Sequence, residues 1–71
     1  MNRKHWERQV KVNQALVAKK RQHLRDLERS YRLATVRSSK NSFKGKITNC
    51  KGLIKTFEGR LARARAELRK L

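Results

Sequence analysis

The sequence predicts an all-α protein in which two long helices fold back on each other as an antiparallel, coiled-coil-like helical hairpin. Three observations predict it. Proline is absent and glycine occurs only three times in 71 residues, so little in the chain interrupts a helix. Apolar residues recur at alternating spacings of three and four in both halves, the period of a helix with one buried seam. Serine and asparagine cluster in one place, Ser38-Ser39-Lys40-Asn41-Ser42, and these residues favour turns and caps over helix interiors.

The first helix is expected over about residues 3–36, with Asn2 as a candidate cap. Trp6, Val10, Val17, Leu24, Leu27, Tyr31 and Ala34 form its seam, which Asn13 and Lys20 interrupt. A polar seam residue lowers stability but fixes register, so this seam reads as apolar at both ends and wet in the middle. The connection is expected over about residues 37–42, with Asn41 or Ser42 capping the next helix. The second helix, about residues 43–71, has the cleaner pattern. Ile47, Ile54, Leu61 and Leu68 occupy one core position, and Phe43, Cys50, Phe57, Ala64 and Leu71 the other.

A short connection between long helices favours an antiparallel pair. Residues 1–71 thus form a single unit. Its aromatic seam is bulky for only two helices, so the hairpin is expected either to dimerise into a four-helix bundle or to dock on a larger assembly. The rival arrangement spreads the two helices apart on a partner's surface.

Charge narrows the function. The chain has 21 Lys and Arg against five Asp and Glu, a formal net charge of +16. So small a domain is marginally stable alone, and self-repulsion weakens it further. A polyanion that binds the folded state stabilises it. On the first helix Lys4, Arg8, Lys11, Arg25, Arg29 and Arg32 lie along one stripe, broken in the middle by Ala15, Ala18 and Gln22. Glu7 and Glu28 are placed to pair with Arg3 and Arg32. Lys44, Lys51, Lys55 and Arg69, with Arg63 on the opposite flank, are the corresponding candidates on the second helix. Solvated surfaces normally mix both signs, whereas these residues read as phosphate contacts. Lys40, Lys44 and Lys46 crowd the expected start of the second helix, where a bound phosphate would suit the helix dipole.

Gly45, Gly52 and Gly59 recur every seven residues opposite the apolar seam, and Ala66 continues the row. Interior glycines cost roughly 1 kcal/mol each relative to alanine. The row therefore reads either as a face for close approach to the helix backbone or as chance or flexibility. Alanine at all three positions separates these, since higher helicity with unchanged binding disposes of close approach.

The four aromatics fall on seam positions and read first as core; Trp6, near the N-terminus, has a second reading as a contact to a base or a partner. His5, His23 and Cys50 show no metal-ligand spacing, and no paired carboxylates, nucleophile constellation or phosphate-binding loop is present. Neither an enzyme, nor a metal, cofactor or small-molecule site, is expected. No apolar run approaches the length of a membrane span, and no membrane partner is expected.

The expectation is a structural nucleic-acid-binding protein, RNA favoured over DNA, as a component of a ribosome or other ribonucleoprotein. It would contact phosphates through its basic helix faces with little sequence choice. The alternatives are a free-standing homodimeric binder of duplex RNA or DNA, viral or regulatory, and a coiled-coil adaptor or assembly protein with an acidic partner. One lone cysteine suits an intracellular, reducing compartment. The Arg-rich, acid-poor N-terminus also admits the mitochondrial matrix.

Overall fold

A computed structural model describes residues 2–71. Two helices account for nearly all of them: α1, Asn2–Leu33, and α2, Arg37–Arg69. They pack against each other as an antiparallel hairpin. Trp6 near the start of α1 meets Arg63 near the end of α2, and Tyr31 at the other end meets Lys40. The rod measures 53 × 14 × 13 Å, with a radius of gyration of 16.1 Å. A globule of the same length would have about 11 Å.

The connection is shorter and earlier than the serine and asparagine cluster suggests. Residues 34–36 make the turn, and residues 37–42 are already helical. Thr35 and Val36 are β-branched and lower helix propensity slightly, but the equally β-branched Ile47–Thr48 pair stays helical, so local propensity alone does not place the break. The serines and Asn41 remain exposed in the first turns of α2, where their side chains face water and cost little. The helical period of the α2 seam also reaches one turn further back than Phe43, to the half-buried Lys40. A lysine at a seam position hides that extension.

Neither Asn41 nor Ser42 caps α2. The N-cap is Val36, at φ −86° and ψ 130°, with no side-chain cap hydrogen bond. Asn2 is itself the first helical residue of α1. At the end of α1 the Ala34 N–H is shared between the Ser30 and Tyr31 carbonyls, at 3.0 and 3.3 Å.

The core follows the two seams. Leu27, Cys50 and Ile54 are buried together, with Leu24, Phe43 and Ile47 packed against them. Val17 and Ala64 are also buried, and Ala64 is wholly inaccessible. The Cys50 thiol donates across the hairpin to the Lys20 carbonyl at 3.2 Å, which joins the helices where the α1 seam is polar. Asn13 is not wet, as the interrupted seam implies, but buried at 3 % exposure. Its Nδ2 donates to the Gln9 carbonyl of its own helix at 2.8 Å, so the amide is satisfied without water. Leu71 departs from the expected seam: it lies past the end of α2 and is exposed.

Candidate nucleic-acid interface

All eleven predicted phosphate contacts, Lys4, Arg8, Lys11, Arg25, Arg29, Arg32, Lys44, Lys51, Lys55, Arg63 and Arg69, are exposed. None of them takes part in an ion pair among the described residues. The pairs present there are Arg3–Glu7 at 3.1 Å, Arg21–Glu58 at 2.5 Å and Lys70–Glu67 at 3.4 Å. Arg21–Glu58 crosses between the helices. All three are exposed, and each contributes about 0–1 kcal/mol. Glu28 makes no pair with Arg32; Asp26 instead accepts from the Gln22 amide at 3.1 Å. The carboxylates therefore neutralise little of the excess charge, which projects into solvent along the whole rod.

These cations do not share one face. Lys4, Arg8 and Lys11 line a shallow cavity with Glu7 on α1. Arg69 and Arg65 border a second recess, floored by Val10, Ala62 and Leu68. Arg63, two residues from Arg65 and so far round the helix, borders a third with Arg60. Together they form a collar around the open end of the hairpin, where residues 4–11 run beside 60–69. Arg25, Arg29 and Arg32 form a separate group near the connection. Ala15, Ala18 and Gln22 interrupt the α1 stripe between the two groups, while Lys19 and Arg21 beside them and Lys51 and Lys55 on α2 keep that level of the rod basic.

The start of α2 differs from the expected phosphate site over residues 40–46. The positive end of the helix lies at Arg37, so Lys44 and Lys46 are two turns inside it, and the dipole fades within the first turn. Arg37 and Lys40 alone border the helix end, and its first turn carries no acidic residue.

The glycine row lies open. A Cβ added at Gly45, Gly52 or Gly59 meets nothing within 4 Å, and no described residue has positive φ. Neither backbone conformation nor packing within the chain requires glycine there. The flanking threonine hydroxyls are occupied: Thr48 donates to the Lys44 carbonyl at 3.1 Å and Thr56 to the Gly52 carbonyl at 3.0 Å.

A feature the sequence reading missed is that each of the four aromatics carries a basic side chain over its ring. Lys40 Nζ lies 5.1 Å from the Tyr31 centroid and Lys46 Nζ 5.6 Å from that of Phe43. Arg60 Cζ lies 5.6 Å from Phe57 and Arg63 Cζ 5.8 Å from Trp6. The rings are half-buried at the seam edges, and the charged heads themselves lie over them within cation–π range. Such cations are partly ordered before any ligand arrives, which lowers the entropy lost on binding.

No helix among the described residues is long and apolar enough to cross a membrane. Compared with models of known protein families, with curated proteins and with solved structures, the chain matches none.

Proposed function

We propose that this chain is a structural nucleic-acid-binding protein whose ligand is RNA, acting as a component of a ribosome or other ribonucleoprotein. The observation that carries this reading is the set of exposed basic side chains that lack carboxylate partners along a slender rod. Lysine and arginine in this state neutralise phosphates and release condensed counterions, giving affinity with little sequence choice. The two groups on α1, centred on Arg8 and Arg29, lie roughly 32 Å apart along the helix. This is close to the about 34–36 Å turn of B-form DNA, so the spacing supports contact with a duplex without favouring RNA over DNA. A rod laid along a duplex would meet phosphates at both groups, with Lys51 and Lys55 of α2 between them. The thin core supports a partner too, because so charged a hairpin gains stability from whatever neutralises it.

A second reading is a free-standing homodimer that binds duplex RNA or DNA. Val12 and Leu53 favour it, being large apolar side chains left 47 % and 42 % exposed, which a second copy would cover. A coiled-coil adaptor for an acidic protein remains the reading of a different class.

One experiment separates the three. Matched RNA and DNA duplexes are titrated across a salt series, with the protein's mass followed by light scattering. The expected result is RNA binding that weakens steeply with salt, each of Arg8→Ala, Arg29→Ala and Lys51→Ala lowering the slope by about one unit without changing sequence preference. A stable dimer that binds either duplex transfers the reading to the homodimer. Absence of binding at low salt rejects nucleic acid and leaves the adaptor.

A further inference from the structure

The cavity beside Trp6 differs in kind from the other basic recesses. His5, Trp6, Gln9, Arg60 and Arg63 line it, and its volume is about 340 Å³. The Arg63 guanidinium lies over the indole, 5.8 Å from its centroid. The His5 ring meets Trp6 edge to face, with centroids 4.8 Å apart and planes 76° from parallel. Trp6 and Gln9 are half-buried, whereas His5, Arg60 and Arg63 are exposed. No carboxylate borders the cavity. By contrast, the recess of Lys4, Arg8 and Lys11 has no ring and includes Glu7. The recess of Arg21 and Arg65 includes Glu58.

Three kinds of group therefore meet in one place: planar π surfaces, two guanidinium groups and a primary amide. An unpaired nucleobase with its phosphate needs this combination. A base stacks on an indole, an imidazole or a guanidinium plane. An amide can both donate to and accept from a base edge. The Gln9 amide is held only loosely within the chain: its Oε1 accepts from Asn13 Nδ2 at 3.5 Å, the long limit of a hydrogen bond. Arg60, already held over Phe57 at 5.6 Å, supplies the charge for the adjoining phosphate.

We infer that the open end of the hairpin is a binding site for one unpaired nucleotide, its base stacked on the Trp6–Arg63 pair with His5 at its edge, and its phosphate met by Arg60. The inference rests on the nucleic-acid reading above and refines it: the rod's flanks take duplex phosphates, and this end takes a base at a loop, bulge or overhang.

Trp6 is the sole tryptophan, so its emission reports on this site alone. The purified protein is titrated with a blunt RNA duplex and with the same duplex bearing a short single-stranded overhang. Binding is read separately, from the anisotropy of a dye on the RNA. The expected result is marked quenching of Trp6 by the overhang RNA, little by the blunt duplex, and loss of quenching when the overhang is abasic. Trp6→Leu should weaken overhang binding about tenfold, the effect of losing one base–aromatic stack. It should leave blunt-duplex binding within about twofold, and Trp6→Phe should restore part of the loss. Binding of both RNAs without selective quenching overturns the base site and leaves the phosphate reading intact. Equal weakening of both RNAs by Trp6→Leu, with lower helicity, overturns it as well, because Trp6 would then only hold the helices together. Failure of both RNAs to bind rejects the two readings at once.

Discussion

Ala64 is the one core residue among the described residues with no accessible surface. A small side chain there lets the open end shut on the half-buried Val10, Trp6 and Leu68. Ala64→Leu should therefore force the helices apart locally and destabilise the hairpin by about 1–3 kcal/mol, seen as a lower urea midpoint. Ala62→Leu, two residues away and exposed, should shift stability by no more than about 0.5 kcal/mol. Equal effects at the two positions would contradict the packing described. Asn13 sits in the same half of the rod and shows a different use of a seam position. Its amide is buried and satisfied within its own helix, so it limits which alignments of the two seams are tolerated without needing water.

At the scale of the elements, the start of α2 is a helix end with the right backbone and the wrong residue. Val36 has the extended conformation of an N-cap but no oxygen to accept the orphan N–H groups. It is also 58 % exposed, so little apolar burial is lost by replacing it. Val36→Asp should raise stability by about 1 kcal/mol, with a higher urea midpoint and an unchanged slope. This position also shows where the sequence stops being informative. The seam from Phe43 to Leu68 was plain because period alone specifies which face of a helix is buried. The break at residues 34–36 was not, because no glycine or proline marks it and the visible turn formers follow it by a few residues. The candidate site divides likewise. Lys46 over Phe43 and Arg60 over Phe57 are pairs three residues apart on one helix, legible once sought. Lys40 over Tyr31 and Arg63 over Trp6 depend on how the helices align, and the connection sets that alignment. A connection placed over 37–42 shifts every cross-helix neighbour and hides the Trp6 cavity.

The whole molecule is mostly surface. Its accessible area is 5807 Å², against roughly 4600 Å² for a compact chain of this mass. One interface between two helices carries the fold, with no layer behind it, while the basic residues crowded within each end group repel one another. The geometry thus divides the labour along the rod. The apolar cluster of Leu27, Cys50 and Ile54 lies between the connection and the middle of the rod, and the open half adds the buried Val17 and Ala64 beneath the collar of cations and the Trp6 cavity.

The position of the connection also sets the order in which the hairpin closes. Partners across it are near neighbours in the chain at Tyr31 and Lys40, and distant ones at Trp6 and Arg63. Each step away from the turn closes a longer loop, and the entropy of closure rises with length. The chain should zip from the connection outward and unzip from the termini inward. Amide hydrogen exchange should accordingly be slowest around Leu27 and Ile54 and quicken steadily toward residues 4–11 and 60–69. Uniform protection along both helices would show a single cooperative unit instead. With a graded rod, the tips of the two helices would part and rejoin while the remainder stays folded, carrying Trp6 on one helix and Arg63 on the other apart and together.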